Sequence, residues 1–556
     1  MMAQNELVFA ALGGIGEIGM NLAIYGFGEA RRRQWIIIDC GVSFASEEQL
    51  PGVDLILPDI AYLLAERKNI LGLILTHGHE DHMGALIDLW PRLNVPLYAT
   101  PFTAALFEAR RASEPGAPQV PVTVVPMGGH LELGPFAIDF INVAHSIPES
   151  NALAIRTPAG TVLHTGDWKI DPTPTIGAPT DAARLKALGD QGVLALVGDS
   201  TNAVREGRSP SEAEVAKTLA ELIRTAPRRV AVTTFASHVG RLRAVADAAR
   251  AAEREVVLVG RAMERVVQVA RETGYLDGVQ DFRSADAYGY LPPDKVLALC
   301  TGSQGEPRAA LARIAADEHP EVTLSRGDRV IFSSRPIPGN EKAIARVING
   351  LVEQGVEVVT DRTHLVHVSG HPRRDELRDM IAWVRPQILI PAHGEALHLA
   401  EHAALARQAG VPKVLVCRNG DLVRLAPDGP EIADEVPSGR LYKDGSLLIS
   451  ADARSVAARR RLSFAGMVSV ALALNDKGQL MADPEVELIG LPEADAGGVS
   501  MFSIARDAVE EAFENLPKPR RRDPQSVAEA VRRGVRGRIA ERWNKKPICH
   551  VHVLVV

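Results

Sequence analysis

The chain has 556 residues, 46% of them hydrophobic and 24% charged, with a formal net charge of −7. That length exceeds one ordinary core and implies two to four domains, and the apolar share excludes a disordered chain. The acidic balance excludes a uniformly basic nucleic-acid binder, so any contact with nucleic acid has to rest on local patches.

The opening MMAQNELVFAALGG lacks the basic start and long apolar region of a secretory signal, and no run approaches the roughly 18 apolar residues of a membrane span. A cytoplasmic location with no membrane partner is the expectation. Along residues 1–208, short apolar runs end in polar or glycine-rich turns: ELVFAAL, MNLAIYGF, QWIIIDCG, LGLILTHGH, FAIDFINVAH, TVLHTGD and VLALVGDS. This rhythm reads as strands, mainly antiparallel at first and then mixed with helices such as 101–112, which makes an α/β sandwich. Residues 14–19, GIGEIG, match the dinucleotide fingerprint GxGxxG. The fingerprint needs a helix next, whereas residues 20–27 (MNLAIYGF) alternate as a strand, so the glycines read as a tight turn beneath the functional site.

From Ser209 the pattern becomes a regular alternation of helix and strand. Helices are expected at SEAEVAKTLAELIRTA, GRLRAVADAARAAE, ERVVQVARETG and GNEKAIARVINGLVEQG, and strands at RRVAVTTF, REVVLVG, KVLALCTGS, RVIFSSRP and VEVVTD. Such repeats imply a parallel sheet covered by helices, a doubly wound insert over 209–363. HLVHVSGHPRRDELRDMIAWVRPQILIPAHGE then reads as strand, helix, strand, and returns the chain to its first domain over 364–430. Residues 431–455 read as a linker with local β structure. Residues 456–556 form a small α/β domain closing with CHVHVLVV. Within it, 518–546 carry eleven Lys or Arg against three acidic residues, a basic patch or a solvated helix face. Cys40, Cys300, Cys417 and Cys549 form no CxxC pair and are expected as free, partly buried thiols.

The segment THGHEDH places His77, His79, Asp81 and His82 in one loop between the apolar strand LGLIL and a helix, MGALIDLW. Two borderline-hard cations need about seven N/O ligands plus water, so other strands must contribute. Asp39, His145, Asp167, Asp199 and His393 each end an apolar run, where a sheet presents side chains along one edge. Any one of them alone reads as a turn or cap residue. Together with HxHxDH they outline a metal site.

HxHxDH followed by a strand-end His, a strand-end Asp and a late His resembles the metallo-β-lactamase superfamily. The long insert, with its DST, SGH and PAHGE segments, resembles the β-CASP branch. GGIGEIGMN, HGHEDH, GDSTN, TGSQGEP, SSRPIPGNE, HVSGHP and PAHGE together are similar to the ribonuclease J family over about 7–430, with a weaker match in the C-terminal domain. The resemblance implies an αββα sandwich interrupted by a doubly wound parallel β-CASP domain, plus a small C-terminal α/β domain. It assigns one metal to His77, His79 and His145 and another to Asp81, His82 and His393, with Asp167 bridging and Asp39 orienting the loop. Two divalent ions are expected, zinc first and manganese or magnesium as alternatives, because His and Asp sites accept several metals.

The implied activity is a metal-dependent RNA phosphodiesterase. It would be a 5′-to-3′ exonuclease favouring 5′-monophosphate ends, with endonuclease action, in RNA maturation and mRNA decay. His371, oriented by Asp199, would protonate the leaving 3′-oxygen. Phosphate contacts are expected at Ala236, Ser237 and His238, at Ser303, at Ser333 and Ser334, and along His367, Val368, Ser369, Gly370 and His371. The partners implied are single-stranded RNA, further copies of the chain as a dimer or tetramer through the C-terminal domain, and other RNA-decay proteins. A β-CASP nuclease acting on DNA differs only in indifference to the 2′-OH, which no residue reveals. A small-molecule metallohydrolase has no use for the insert. A non-enzymatic scaffold would have lost ligands, and all seven are present.

Overall fold

The computed structural model describes residues 5–45, 49–337 and 339–556. They fall into two compact units, one running up to Phe44 and over Leu55–Leu441, the other containing Tyr442–Val556. No helix among the described residues is long and apolar enough to cross a membrane.

Two sheets face each other in the first unit. One has eight strands in the order Glu431–Glu435, Asp421–Ala426, Glu6–Gly13, Leu22–Gly28, Gln34–Ile38, Ile70–Ile74, Leu97–Ala99 and Val122–Val124. The other has seven, in the order His130–Leu133, Phe136–Asn142, Asn151–Thr157, Gly160–His164, Ala195–Asp199, Ile388–Ala392 and Lys413–Val414. Each begins antiparallel and turns parallel, at Gln34–Ile38 with Ile70–Ile74 and at Gly160–His164 with Ala195–Asp199. Alternate residues of both sheets, among them Phe9, Tyr25, Ile38, Phe140, Leu153 and Val197, share one apolar core, as the period of two requires. On the far face of the second sheet, helices Ala182–Gln191, Arg374–Val384 and Ala396–Gln408 bury Leu185, Leu377 and Leu405. On the other flank, the helix Ala61–Glu66 sets Tyr62 edge-on against Trp35, 5.6 Å between ring centroids.

The GxGxxG segment makes no phosphate-binding turn. Gly14, Gly16 and Gly19 all take positive φ, and the chain continues into the strand Leu22–Gly28, not a helix.

The insert carries a five-stranded, wholly parallel sheet in the order Glu255–Val259, Val296–Cys300, Val230–Thr233, Arg329–Phe332 and Glu357–Val359. Its first helix, Glu212–Thr225, starts from a capping box in which Ser211 and Glu214 satisfy each other's backbone N–H groups. A short helix at Ala310–Ala315 and a 3-10 turn at Ala285–Tyr290 were not expected from the pattern. The carboxyl ends of these strands, where doubly wound sheets hold ligands, lead into 234–238, 301–305 and 333–335.

The structure corrects one expected element. The apolar run HLVHV forms no strand; residues 365–369 are irregular. The Val366 carbonyl accepts from Arg241 Nη1 at 3.0 Å and from Ser333 Oγ at 2.7 Å, and the Gly370 carbonyl accepts from His145 Nδ1 at 2.7 Å. Side chains of distant elements thus satisfy carbonyls that a ladder would otherwise take. The expected linker also contains the strands Glu431–Glu435, Arg440–Asp444 and Leu447–Ser450.

In the second unit, Ile548–Val555 lies parallel to Met467–Leu474, which pairs antiparallel with Glu485–Ile489. Val527, Val531, Val535 and Ile539, one face of the helix Pro524–Trp543, pack on this sheet with Ile504 and Ala508 of the helix Met501–Glu514. The long helix starts at an Asp523 cap with Pro524 at its first position. All four cysteines are free and buried.

Candidate metal centre

Every expected ligand sits just past a strand. His77, His79, Asp81 and His82 follow Ile70–Ile74, His145 follows Phe136–Asn142, Asp167 follows Gly160–His164, and His393 follows Ile388–Ala392. Parallel pairing of Ala195–Asp199 with Ile388–Ala392 puts Asp199 beside Ala392, one residue before His393. The two sheets therefore deliver all of these side chains to one place.

There they form overlapping groups. Ligand atoms of His77, His79, His145 and Asp167 lie within 4.8 Å of one another, as do those of Asp81, His82, Asp167 and His393. Asp167 is common to both: its Oδ2 is 3.8 Å from His77 Nε2, 3.7 Å from His145 Nε2 and 3.2 Å from His82 Nε2. A third group joins Asp167, Asp199, His371 and His393.

The surroundings orient these atoms. Asp39 accepts from Thr76 N and Thr76 Oγ1 at 2.8 Å and from His82 Nδ1 at 2.7 Å. Because a carboxylate only accepts, His82 carries its proton on Nδ1 and turns Nε2 inward. His145 Nδ1 donates to the Gly370 carbonyl, which likewise leaves Nε2 facing Asp167. A Cβ on Gly370 would lie 2.5 Å from His145 Nδ1, so only glycine lets that backbone approach the ring. Asp39 and His393 both hold positive φ, at 64° and 48°. Such conformations are uncommon for residues with side chains and cluster at functional sites.

Electrostatics divides the imidazoles. Burial pushes His77 and His145 well below the ordinary histidine range and His79 down to about 4, so these three are neutral, the form that binds metals. Burial acts the same way on His82 and His393, but carboxylates overrule it. Asp167, Asp81 and Asp39 raise His82, and Asp167, Asp199 and Asp81 raise His393. His371 is also raised, against burial, by Asp199 and Asp167, and its Nδ1 donates to Asp199 Oδ2 at 2.7 Å.

The donor set fits divalent cations. Asp167 Oδ1 and His393 Nε2 are buried with no hydrogen-bond partner, and His393 Nδ1, 3.1 Å from Asp167 Oδ1, lacks hydrogen-bond alignment with it. Orphaned buried acceptors are costly unless something satisfies them. Cations between neutral imidazoles and clustered carboxylates would do so.

Of the expected phosphate cradles outside the loop 366–371, Ser333 meets that loop directly. Ser333 Oγ reaches Val366 O, and Ser334 Oγ reaches Ser303 O at 3.5 Å. Ser369 Oγ accepts from Asn202 Nδ2 at 2.9 Å and keeps its own proton, and His367 Nδ1 has no partner. Ala236 and Ser237 are half-buried between strand and helix, and Val368 is buried. Two members are committed inward. His238 caps the helix Val239–Ala251 through Arg241 N and places Nε2 3.2 Å from Glu212 Oε1, and the Ser333 hydroxyl proton goes to Val366 O.

Sequence reasoning passed over Thr201 and Asn202. Thr201 Oγ1 contacts His393 Nδ1 and its carbonyl, each at 3.1 Å, and Asn202 Nδ2 holds Ser369 Oγ and the His371 carbonyl. Their only signal was position, directly after the strand-end Asp199. Asn21, whose Nδ2 meets Asp81 O and His82 Nε2 at 3.1 Å, was missed inside the glycine-rich segment.

The chain matches the models of the metallo-beta-lactamase superfamily over residues 29–261, the ribonuclease J beta-CASP domain over 227–351, the Zn-dependent metallo-hydrolase RNA specificity domain over 355–416 and the ribonuclease J C-terminal domain over 455–556. It is 54% identical to a ribonuclease J of Sinorhizobium meliloti, with 100% of this chain and 98% of that one aligned. It is 39% identical to that of Corynebacterium glutamicum over 98% of this chain and 75% of the other, and 38% identical to that of Thermus thermophilus over 91% and 88%. A crystal structure of a protein of unknown function from Enterococcus faecalis shares the fold, with a TM-score of 0.53 and 16% identity over 75% of this chain and 100% of that one. With the sandwich, the parallel insert and the His/Asp centre, these matches establish that the chain belongs to the ribonuclease J family and is a metal-dependent hydrolase acting on RNA.

Proposed function

We propose that the centre holds two divalent ions, zinc first among them, one at His77, His79 and His145 and the other at Asp81, His82 and His393, with Asp167 shared. The observation that carries this is Asp167, whose carboxylate belongs to both ligand groups and keeps an unpartnered buried oxygen. Ions held by these residues would supply Lewis-acid charge for the phosphate oxygens and would lower the pKa of an attacking water. His371, whose pKa Asp199 and Asp167 raise against burial, would give a proton to the leaving 3′-oxygen, and the 2.7 Å bond from its Nδ1 to Asp199 fixes the ring. Asp39 holds His82, and through Thr76 the start of the metal loop, in one orientation.

The same reading makes the enzyme a 5′-to-3′ exonuclease favouring 5′-monophosphate ends, with additional endonuclease action. Its support is the loop 366–371, tied at Val366 to the insert and at Gly370 and His371 to the metal centre. A phosphate held by the Ser369 hydroxyl and the His367 ring would fix the distance from the RNA end to the ions. Association of copies through the second unit is supported by the edge strand Ile548–Val555, whose Leu554 is 61% exposed. The deciding experiment digests one labelled RNA bearing a 5′-monophosphate, triphosphate or hydroxyl, with matching DNA alongside. Stepwise trimming of the monophosphate RNA alone is the expected result; equal trimming of all three ends removes the end-recognition reading.

A further inference from the structure

The insert supplies none of the proposed ligands, yet one of its side chains reaches the frame around three of them. Tyr275, just past the helix Arg261–Glu272, donates its hydroxyl to Glu149 Oε1 at 3.0 Å. The other oxygen, Oε2, accepts from Phe102 N at 2.8 Å. That amide belongs to the first turn of the helix Pro101–Ala112, whose own N-cap residue, Thr100, gives no side-chain bond. Glu149 thus caps the helix from a distant loop, where the helix dipole favours a negative charge. Burial and the neighbouring carboxylate push the Tyr275 phenol up, so at neutral pH it keeps the proton it donates.

Glu149 stands on the loop that carries the ligand His145, and its φ of 60° turns the chain there. Val143 N donates to the Ser150 carbonyl at 3.0 Å, which closes this loop on itself so that it moves as one piece. Asn151 N then donates to the carbonyl of Thr76, the residue before the ligand His77. Inside the loop, the buried Ile147 faces Gly78. A Cβ on Gly78 would lie 3.4 Å from Ile147 Cδ1 and 3.2 Å from Leu106 Cδ2 of the helix Pro101–Ala112. The segment His77-Gly78-His79 is therefore packed between the His145 loop and the helix that Glu149 caps. The insert grips this helix at both ends: the Phe102 and Tyr275 rings meet edge-on with centroids 5.7 Å apart, and Arg265 donates to Ser113 Oγ.

The other ligand group is held differently. Asn21 donates to the Asp81 carbonyl, Asp39 accepts from His82, and Thr201 contacts His393, all three from the sandwich itself. We infer that Tyr275 and Glu149 are positioning residues through which the insert sets the geometry, and with it the metal affinity, of the His77, His79 and His145 group alone. The inference rests on the two-ion reading above. Neither residue touches a reacting atom; each acts through the helix and loop that hold the imidazoles in place.

The test titrates zinc into the metal-free full chain in competition with a chelator and reads two binding constants. His145→Ala, which removes a ligand, identifies the step that belongs to its group. Tyr275→Phe removes only the hydroxyl, and Glu149→Gln keeps the shape but sets an amide NH2 against one of the two donors. Each should weaken the identified step about tenfold and leave the other as in the wild type. Thr201→Val, which acts on His393, should do the reverse. A wild type that takes up fewer than two ions would end the two-ion reading and this inference with it. Two ions bound with both constants unchanged in Tyr275→Phe and Glu149→Gln, or with both lowered alike, would overturn the positioning role and leave the two-ion reading standing.

Discussion

Thr201 Oγ1 lies 3.1 Å from Nδ1 of His393 and 3.1 Å from the carbonyl oxygen of the same residue. The carbonyl can only accept, so the hydroxyl proton goes to it and Nδ1–H donates back to the hydroxyl. The ring is thereby fixed in the tautomer whose Nε2 faces Asp81, 3.4 Å away. A side chain that touches no reacting atom thus sets the direction of a ligand lone pair.

Thr201→Val should therefore weaken metal binding by about tenfold while Thr201→Ser keeps it, because only the hydroxyl matters. Competition with a fluorescent chelator reads this without reference to activity. Equal affinities in the wild type and Thr201→Val would show that His393 needs no such partner.

Removal of metal, or His77→Ala or Asp81→Ala, should abolish cleavage and leave the fold in place. The cores that define the first unit, around Phe9 and Phe140 in the sandwich and around Val257 and Val330 in the insert, are apolar and distinct from the centre. Far-UV circular dichroism before and after chelation checks the fold, and metal analysis of the variants checks the site. Full activity in both variants with no bound metal would remove the proposed centre.

Most of the architecture was legible because strand ends announce themselves: an apolar alternating run stops at Asp39, His145, Asp167, Asp199 or His393, and the sheet edge collects whatever stands there. Thr201, Asn202 and Asn21 were not legible. Their partners are 60 to 192 residues away in sequence, and an Asn or Thr after a strand reads as an ordinary turn. The run HLVHV misled for a related reason. Its periodicity is that of a strand, but Arg241 and Ser333 take its Val366 carbonyl, and nothing local records that. His238 illustrates the converse, a residue in a phosphate-like turn whose ring is occupied by Glu212.

Glu212 joins the two parts of the first unit. Its Oε1 is 3.2 Å from both Lys169 Nζ and His238 Nε2, and its Oε2 accepts from Arg241 Nη2 at 2.8 Å. Burial would raise its carboxyl, but Arg241, His238 and Lys169 hold it well below its ordinary value of 4.5. A depressed folded value means that the stabilisation is complete above the unfolded value and is lost as pH falls toward the folded one. Glu212→Gln, which leaves buried cations uncompensated, should cost about 3 to 5 kcal/mol at pH 7. In urea unfolding, the gap between wild type and variant should stay constant from pH 7 to 5.5 and narrow only below about 4.5. A gap that widens on acidification would contradict the depressed carboxyl.

The last prediction concerns the RNA end. Ser369 Oγ accepts from Asn202 Nδ2 and His371 N, so its proton remains available to an anion, and the unpartnered His367 Nδ1 lies two residues away. Burial holds the His367 ring well below the ordinary histidine range, so at neutral pH it acts through a neutral N–H and not as a cation. Two neutral donors and the backbone of 368–370 suit a monophosphate. A triphosphate brings more charge than such a pocket can offset, and a 5′-hydroxyl leaves the donors unmatched. Ser369→Ala should therefore cut the rate on 5′-monophosphate RNA by about tenfold, the value of one hydrogen bond to a charged group, and bring it towards the rate on 5′-hydroxyl RNA. Internal cleavage and metal content should not change, because no proposed ligand is touched. Single-turnover rates on the two ends, with metal analysis of the same preparation, decide the matter. An unchanged ratio of those rates in Ser369→Ala would place the recognition of the 5′ end elsewhere than this loop.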